Sequence, residues 1–378
     1  MVYLDNAATS FPKAPGVAAA MAEYVEKVGA TINRSSYAAA QEAGLVTLAL
    51  RERLCSLFHH PDPTHAVITA GATASLNLLI KGLLRPGDHC VVSSMEHNAV
   101  MRPLVQLERE GVSFDRVPCD GEGRMDVSAL PGLIRPNTRL VLIAHASNVS
   151  GTVQDAAAVG KMCREYGVPF ALDAAQSAGH MDVDFTALGL SALAVPGHKG
   201  LLGPQGIGAL LLTPELAKRL TPLIAGGTGS ASDSEELPDW MPDRFESGTP
   251  NLPGIYGWEA ALRWIEETGV EKLASHEKAL TARFLDGVSA LKNVRIYGPS
   301  TTEGRTGVIS LGFTGCDNAD AAWRLEREHG VLTRCGLHCA PAAHRSLGSF
   351  PEGSVRFSMG WANTEADIDA ALEAIAEI

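Results

Sequence analysis

The sequence predicts an α/β protein, with a large domain on a mainly parallel seven-stranded sheet and a smaller α+β domain towards the C-terminus. Three observations lead there. Between residues 66 and 212, short β-branched or apolar runs alternate with helical patterns, the rhythm of strands joined by crossover helices. A stretch rich in Gly, Ser, Pro and acids, 226–253, then breaks that rhythm. Beyond it lie two strong helical patterns followed by a mixture of strands and helices.

Taken in order, the opening YLDNAATS reads as an arm or edge strand. A helix is expected over 15–28, a donor-rich loop over 29–37, and a helix with apolar residues at helical spacing over 38–58. Strands of the large sheet are expected at 66–69, 90–93, 113–117, 140–145, 169–172, 192–195 and 208–212, with helices between most of them. The stretch 226–253 is read as a loop, and loops this long are usually functional or mobile. Helices over 254–267 and 270–291, a strand over 307–313, a helix over 318–329, strands over 331–333 and 354–358, and a last helix over 365–378 complete the chain. The large domain is therefore assigned 16–253, and the small one 1–15 with 254–378.

With 378 residues, 46% of them hydrophobic and 20% charged, the composition is that of a soluble enzyme. The net charge of -12 argues against nucleic acid or an anionic membrane as the main partner. Every long apolar run is cut by Gly, Pro or a charge, so neither a signal peptide nor a membrane span is expected. Seven cysteines without framework spacing fit free thiols in a reducing cytoplasm.

An open parallel sheet binds ligands beyond the carboxyl ends of its strands, so what each strand delivers there matters. The first ends in TAGATAS, where Gly71, Ala72 and Thr73 open a helix whose backbone N–H groups suit a phosphate. Later ends present Glu96, His97 and Asn98 (SSMEHNA), Asn148 (AHASNVSGT), and Asp173 with Gln176 (ALDAAQSAGH). In LAVPGHKGLLGPQGIG an apolar strand stops at Pro196 and Gly197 and delivers His198 and Lys199. A lysine at the end of a buried strand is a candidate amine nucleophile, because burying an ammonium is costly. A lysine to carry an aldehyde, a carboxylate to keep a pyridine nitrogen protonated, an imidazole and an anion-binding helix start are what pyridoxal 5'-phosphate requires. Singly, Asp173 could be a helix N-cap, His97 a core histidine and Lys199 a loop lysine; their register along one sheet edge favours a shared site.

A second cluster, TRCGLHCAPAAH, holds Arg334, Cys335, His338, Cys339 and His344. Structural zinc sites usually pair ligands from separate knuckles, so no metal is assigned; a thiol beside Arg and His is instead a candidate nucleophile. Arg356, in SVRFSMG, sits on a strand with apolar neighbours and fits either a substrate carboxylate or a structural salt bridge.

YLDNAATS, EHNA, SNVSGT, DAAQSAGH, GHKGLLGPQGIG, FESGTPN and RCGLHCAP, in this order along nearly the whole chain, resemble the class V aminotransferase superfamily and, within it, the cysteine desulfurases and selenocysteine lyases. The resemblance implies the fold type I of pyridoxal 5'-phosphate-dependent transferases. It makes Lys199 the Schiff-base lysine, Asp173 the pyridinium partner, Gln176 a donor to the ring oxygen and His97 the stacking, catalytic imidazole. Ala72, Thr73 and His198 would bind phosphate, and Asn148 cofactor or substrate. Thr249 would reach the phosphate of the other subunit in a homodimer. Arg356, Arg334 and His338 would bind substrate, and Cys339 would attack its sulfur. The implied reaction takes sulfur from L-cysteine, giving L-alanine and a persulfide for a protein acceptor. The alternatives are release of selenium from L-selenocysteine, or another lyase or aminotransferase reaction on this fold.

The cysteine motif resembles the short-loop branch. Three departures stand out. Pro196 replaces a serine common in relatives, leaving Thr228 or backbone donors to hold the phosphate; Leu337 replaces a frequent histidine; and Cys335 is an extra thiol, either a second sulfur relay or inert.

Overall fold

The computed structural model describes all 378 residues. The chain opens with a two-residue strand, β1 (Val2–Tyr3), and helices α1 (Val17–Glu23) and α2 (Ala38–Phe58). The expected alternation follows: β2 (Ala66–Thr69), α3 (Ala72–Leu83), β3 (His89–Ser93), α4 (Asn98–Glu108), β4 (Ser113–Val117), a single turn α5 (Leu130–Leu133), β5 (Thr138–Ala144), α6 (Ala156–Tyr166), β6 (Phe170–Asp173), β7 (Ala192–Pro196), β8 (Gly208–Leu212) and α7 (Pro214–Arg219). The seven strands β2 to β8 form one sheet in the order β2-β8-β7-β6-β5-β3-β4. Strands β3 to β7 pair in parallel, whereas β8 runs antiparallel to both β7 and β2.

This sheet is covered on both faces, which is why its central strands read as unbroken apolar runs. Successive side chains point to opposite faces. Val91, Val141, Ile143 and Leu172 pack with Leu50 and Leu54 of α2 and Val159 of α6; Val92, Leu140, Leu142 and Ala171 pack with Leu76 and Leu79 of α3 and Leu104 of α4. Two loops at the carboxyl edge meet backbone to backbone. A Cβ added at Gly179 (φ +82°) would lie 2.2 Å from the carbonyl oxygen of Gly200, and one at Gly200 2.3 Å from that of Ala178, so only glycine fits beside Lys199.

The stretch 226–251 is loop apart from one 3-10 turn, Asp243–Phe245, and α8 begins at Leu252, two residues before its expected start. It is pinned at Glu246, which pairs with Arg51 at 2.6 Å and accepts from the amide of Ile68 at 2.6 Å. Then come α8 (Leu252–Thr268), α9 (Val270–Ser289), β9 (Val294–Tyr297), β10 (Val308–Phe313), α10 (Asn318–Arg327), β11 (Val331–Leu332), β12 (Arg334–Gly336), α11 (Pro341–Leu347), β13 (Ser354–Ser358) and α12 (Glu365–Ala376). An antiparallel sheet in the order β12-β13-β10-β9 carries the small core, in which Leu280, Phe284, Phe357 and Ile368 join Leu4 from the N-terminal arm. Strand β1 pairs in parallel with β11.

Two strands lie outside the expectation, β9 and β12. Both are short, half-buried and polar or charged at alternate positions, so no apolar run marks them. Helix α8, expected in the second unit, puts Ile255, Trp258, Leu262 and Ile265 into the core of the large sheet, against α1 and α2. We therefore propose the division of the chain between α8 and α9 rather than at 253/254, since an apolar face belongs with the core that buries it.

Phe284 is fully buried in the small core, its ring 5.1 Å from that of Phe357. Phe284→Ala should lower the unfolding free energy by about 3–5 kcal/mol. A denaturant titration showing a loss below about 1 kcal/mol would mean that this core is not packed as described.

Candidate functional site

The carboxyl ends of the central strands open onto a cavity of about 540 Å³. Its walls include Ala72 and Thr73 at the start of α3, together with His97, Asn148, Asp173, Gln176, His198 and Lys199. The register expected from the strand ends is thus realised in one place.

Asp173 ends β6 and is buried, with Oδ1 accepting from the Ala175 amide at 3.0 Å. Burial raises its pKa, against the pull of that hydrogen bond and of Lys199. Lys199 is held down to about 8, chiefly by burial, with Asp173 opposing. His97 caps α4, its Nδ1 accepting from the Ala99 amide at 3.0 Å. Burial and the nearby cations, Lys199 first, lower its pKa to about 4, so the ring is neutral. Gln176 donates through Nε2 to the Ala7 carbonyl at 2.9 Å. Glu96 lies behind the wall, fully buried, accepting from the amides of Ser93 and Ala144 and from the Ser93 hydroxyl; it ties the ends of β3 and β5 together.

The second cluster is tied to the cavity's wall through Asn148, although none of its own residues is among those that line the cavity. Strand β12 places Arg334 with a terminal nitrogen 3.8 Å from Cys339 Sγ, and Cys339 is exposed. His338 and Cys339 both adopt left-handed backbone (φ 47° and 58°), an uncommon conformation for such residues that the surroundings must hold. Two large-domain donors do so. The side-chain amide of Asn148 donates to the His338 carbonyl at 2.6 Å, and the backbone amide of Asn98 donates to that of Cys339 at 2.7 Å. The His338 ring turns away from the thiol. Its Nε2 lies 3.0 Å from Ser354 Oγ, and burial drives its pKa to about 2, so the charge beside the sulfur comes from Arg334. Cys335 points to the other face of β12, among residues of the small core, and burial raises its thiol pKa.

Arg356 is 1% exposed, donating to Asp5 Oδ1 at 2.8 Å and to the Asn148 carbonyl at 3.1 Å, while its Nε is buried without a partner. The salt bridge expected as one of the two readings of Arg356 is present, and Arg356 is not among the residues lining the cavity. Thr249 is exposed and outside the cavity. Pro196 lines the cavity; Thr228 does not, and pairs with Ser230 Oγ at 3.0 Å.

The N-terminal arm contributes groups to which no role was assigned from sequence. The His198 carbonyl accepts from the Ser10 amide at 2.9 Å, from Lys13 Nζ at 3.0 Å, and from the hydroxyls of Thr9 and Ser10 at 3.2 Å each. Four donors on one carbonyl fix the backbone that leads into Lys199. The signal was present in YLDNAATSFPK, whose polar residues have no use in an ordinary edge strand.

The depressed pKa of Lys199 has a stability consequence. Between about 8 and the ordinary 10.5, the unfolded lysine binds a proton that the folded one has lost, so stability rises with pH across that window. In the ligand-free protein, Lys199→Met should therefore melt above wild type at pH 7, with the gap closing by about pH 10. A gap of constant size at both pH values would contradict a buried lysine whose pKa is depressed.

The Aminotransferase class-V family profile matches residues 2–371. A probable cysteine desulfurase of Methanothermobacter thermautotrophicus is 33% identical over 100% of this chain and 94% of its own length. The cysteine desulfurase CsdA of Escherichia coli is 31% identical over 99% of this chain and 93% of its own. Among solved structures, the apo cysteine desulfurase of Thermococcus onnurineus NA1 superposes with a TM-score of 0.92 at 31% identity, covering 100% of this chain and 94% of that one. The architecture is the fold type I of pyridoxal phosphate-dependent enzymes, and the chain belongs to the class V aminotransferase family.

Proposed function

We propose that the chain binds pyridoxal 5'-phosphate and removes sulfur from L-cysteine, leaving L-alanine and a persulfide on Cys339 that passes to a protein acceptor. What supports this reading is that Lys199, Asp173 and Asn148 line one cavity, and that Asn148, with Asn98, holds the loop that carries an exposed Cys339.

The residues present fit the cofactor. The cavity joins an amine, a buried carboxylate, a neutral imidazole and a helix start, and His198 Nδ1 is buried without a partner. Ala72, Thr73 and His198 would hold the phosphate, Asp173 the ring nitrogen and His97 the ring face. Gln176 has a second amide hydrogen for the ring oxygen, since the Ala7 carbonyl takes only one. When bound, the cofactor supplies an electron-accepting ring that eases loss of a proton from the substrate's α-carbon.

Lys199, with its pKa near 8, is poised to take that proton near neutral pH. Arg356, through the free Nε, and Asn148 would hold the substrate carboxylate. The Cys339 thiolate, with the Arg334 guanidinium beside it, attacks the substrate sulfur as the carbon–sulfur bond breaks. His338 supports the loop through Ser354, and Cys335 takes no part. Thr249, exposed outside its own cavity, would serve the phosphate of a second copy in a homodimer. Seven free cysteines accord with a reducing cytoplasm, and no helix is long and apolar enough to cross a membrane.

Cys339→Ala should cut alanine release from cysteine by at least about a hundredfold while leaving the borohydride-trappable cofactor link at Lys199 intact. Unchanged release would remove Cys339 from the mechanism. Loss with cysteine but retention with selenocysteine would point to a selenocysteine lyase, and a keto acid in place of alanine to an aminotransferase.

A further inference from the structure

Beside the Cys339 loop lies a second hollow, of about 400 Å³, open to solvent. Four arginines rim it: Arg102 on α4, Arg109 at the C-terminal cap of that helix, Arg116 on β4 and Arg345 on α11. All four are exposed, and none takes part in an ion pair. Two are held by aromatic rings instead of carboxylates, with Arg345 4.2 Å above the Phe350 ring and Arg116 5.0 Å from that of Phe114. The one carboxylate in the lining, Glu96, is fully buried and turned to the amides of Ser93 and Ala144 rather than to any of the four.

This is an unusual rim on a chain of net charge -12. Its position bears on function. Helix α11, which lines the hollow from Pro341, begins two residues after the thiol, and Asn98, on the same wall, holds the Cys339 carbonyl at 2.7 Å. A body seated on the rim lies beside the exposed sulfur.

We propose that this arginine-rimmed hollow docks the acidic face of a thiol-bearing protein that takes sulfur from Cys339. The proposal rests on the desulfurase reading and names the chemistry of the acceptor. The acceptor thiolate attacks the outer sulfur of the Cys339 persulfide. A new sulfur–sulfur bond forms on the acceptor, the old one breaks, and Cys339 leaves as thiolate; no outside oxidant or reductant is consumed. Uncompensated guanidiniums raise the encounter rate with an acidic partner and lose that effect in salt.

The test uses the holoenzyme and three labelled probes: a cysteine peptide flanked by Asp and Glu, the same peptide flanked by Lys, and a single-stranded oligonucleotide of equal negative charge. Fluorescence anisotropy should show the acidic peptide binding at least about tenfold more tightly than the basic one, with the advantage lost in R102E/R109E and at about 0.5 M salt. Sulfur transfer to the peptides should follow the same order, while alanine release with dithiothreitol as acceptor stays unchanged in R102E/R109E. Equal binding of the two peptides, an advantage that survives in R102E/R109E, or an oligonucleotide that binds as tightly would each overturn the proposal. Failure of wild type to release alanine with dithiothreitol would instead sink the desulfurase reading, and the anisotropy would still decide the surface.

Discussion

One side chain joins the two halves of the site. The amide of Asn148 holds the His338 carbonyl and its backbone carbonyl receives Arg356, so a single residue beyond the end of β5 positions both the cysteine turn and the buried guanidinium. The cysteine turn needs such a hold, because two successive non-glycine residues in left-handed backbone would otherwise relax. Asn98, just after His97, supplies the second tether. The thiol is therefore presented by the large domain even though small-domain sequence carries it.

The N-terminal arm completes the arrangement from the other side. Asp5 neutralises a guanidinium that would be costly to bury alone, and Ser10 and Lys13 converge on the His198 carbonyl. Leu4, immediately before Asp5, is packed in the small core. An arm that belongs to the small core by packing and to the lysine segment by hydrogen bonding couples the two units at the cavity. Glu277 of α9 adds another link, lying 2.7 Å from His180 while accepting from the amide of Gly307.

Much of this was legible in the amino-acid order, for a physical reason. Strands of a parallel sheet deliver their functional residues at one edge, so Asp173, His97 and Lys199 could be aligned before any coordinates. The ordered motifs made the family recognisable over nearly the full chain. Pairings between distant segments were hidden: Asp5 and Arg356 lie 351 positions apart, and nothing local in either marks the other. The small-domain strands were hidden differently, since β12 is three residues long and gives its inward position to Arg334 and its core position to Cys335. The direction of the His338 ring depends on Ser354, from β13, and no spacing rule anticipates it.

The central claim is that Cys339 takes the substrate's sulfur because Asn148, in the wall of the Lys199 cavity, holds the loop that carries it. Isotope-labelled cysteine, a single turnover and peptide mass analysis test it directly. The account predicts one labelled sulfur on the peptide carrying Cys339 in the wild type, and little in Asn148→Ala at equal cofactor content. Label on Cys335 or another thiol, or labelling of Cys339 that is indifferent to Asn148, would contradict it.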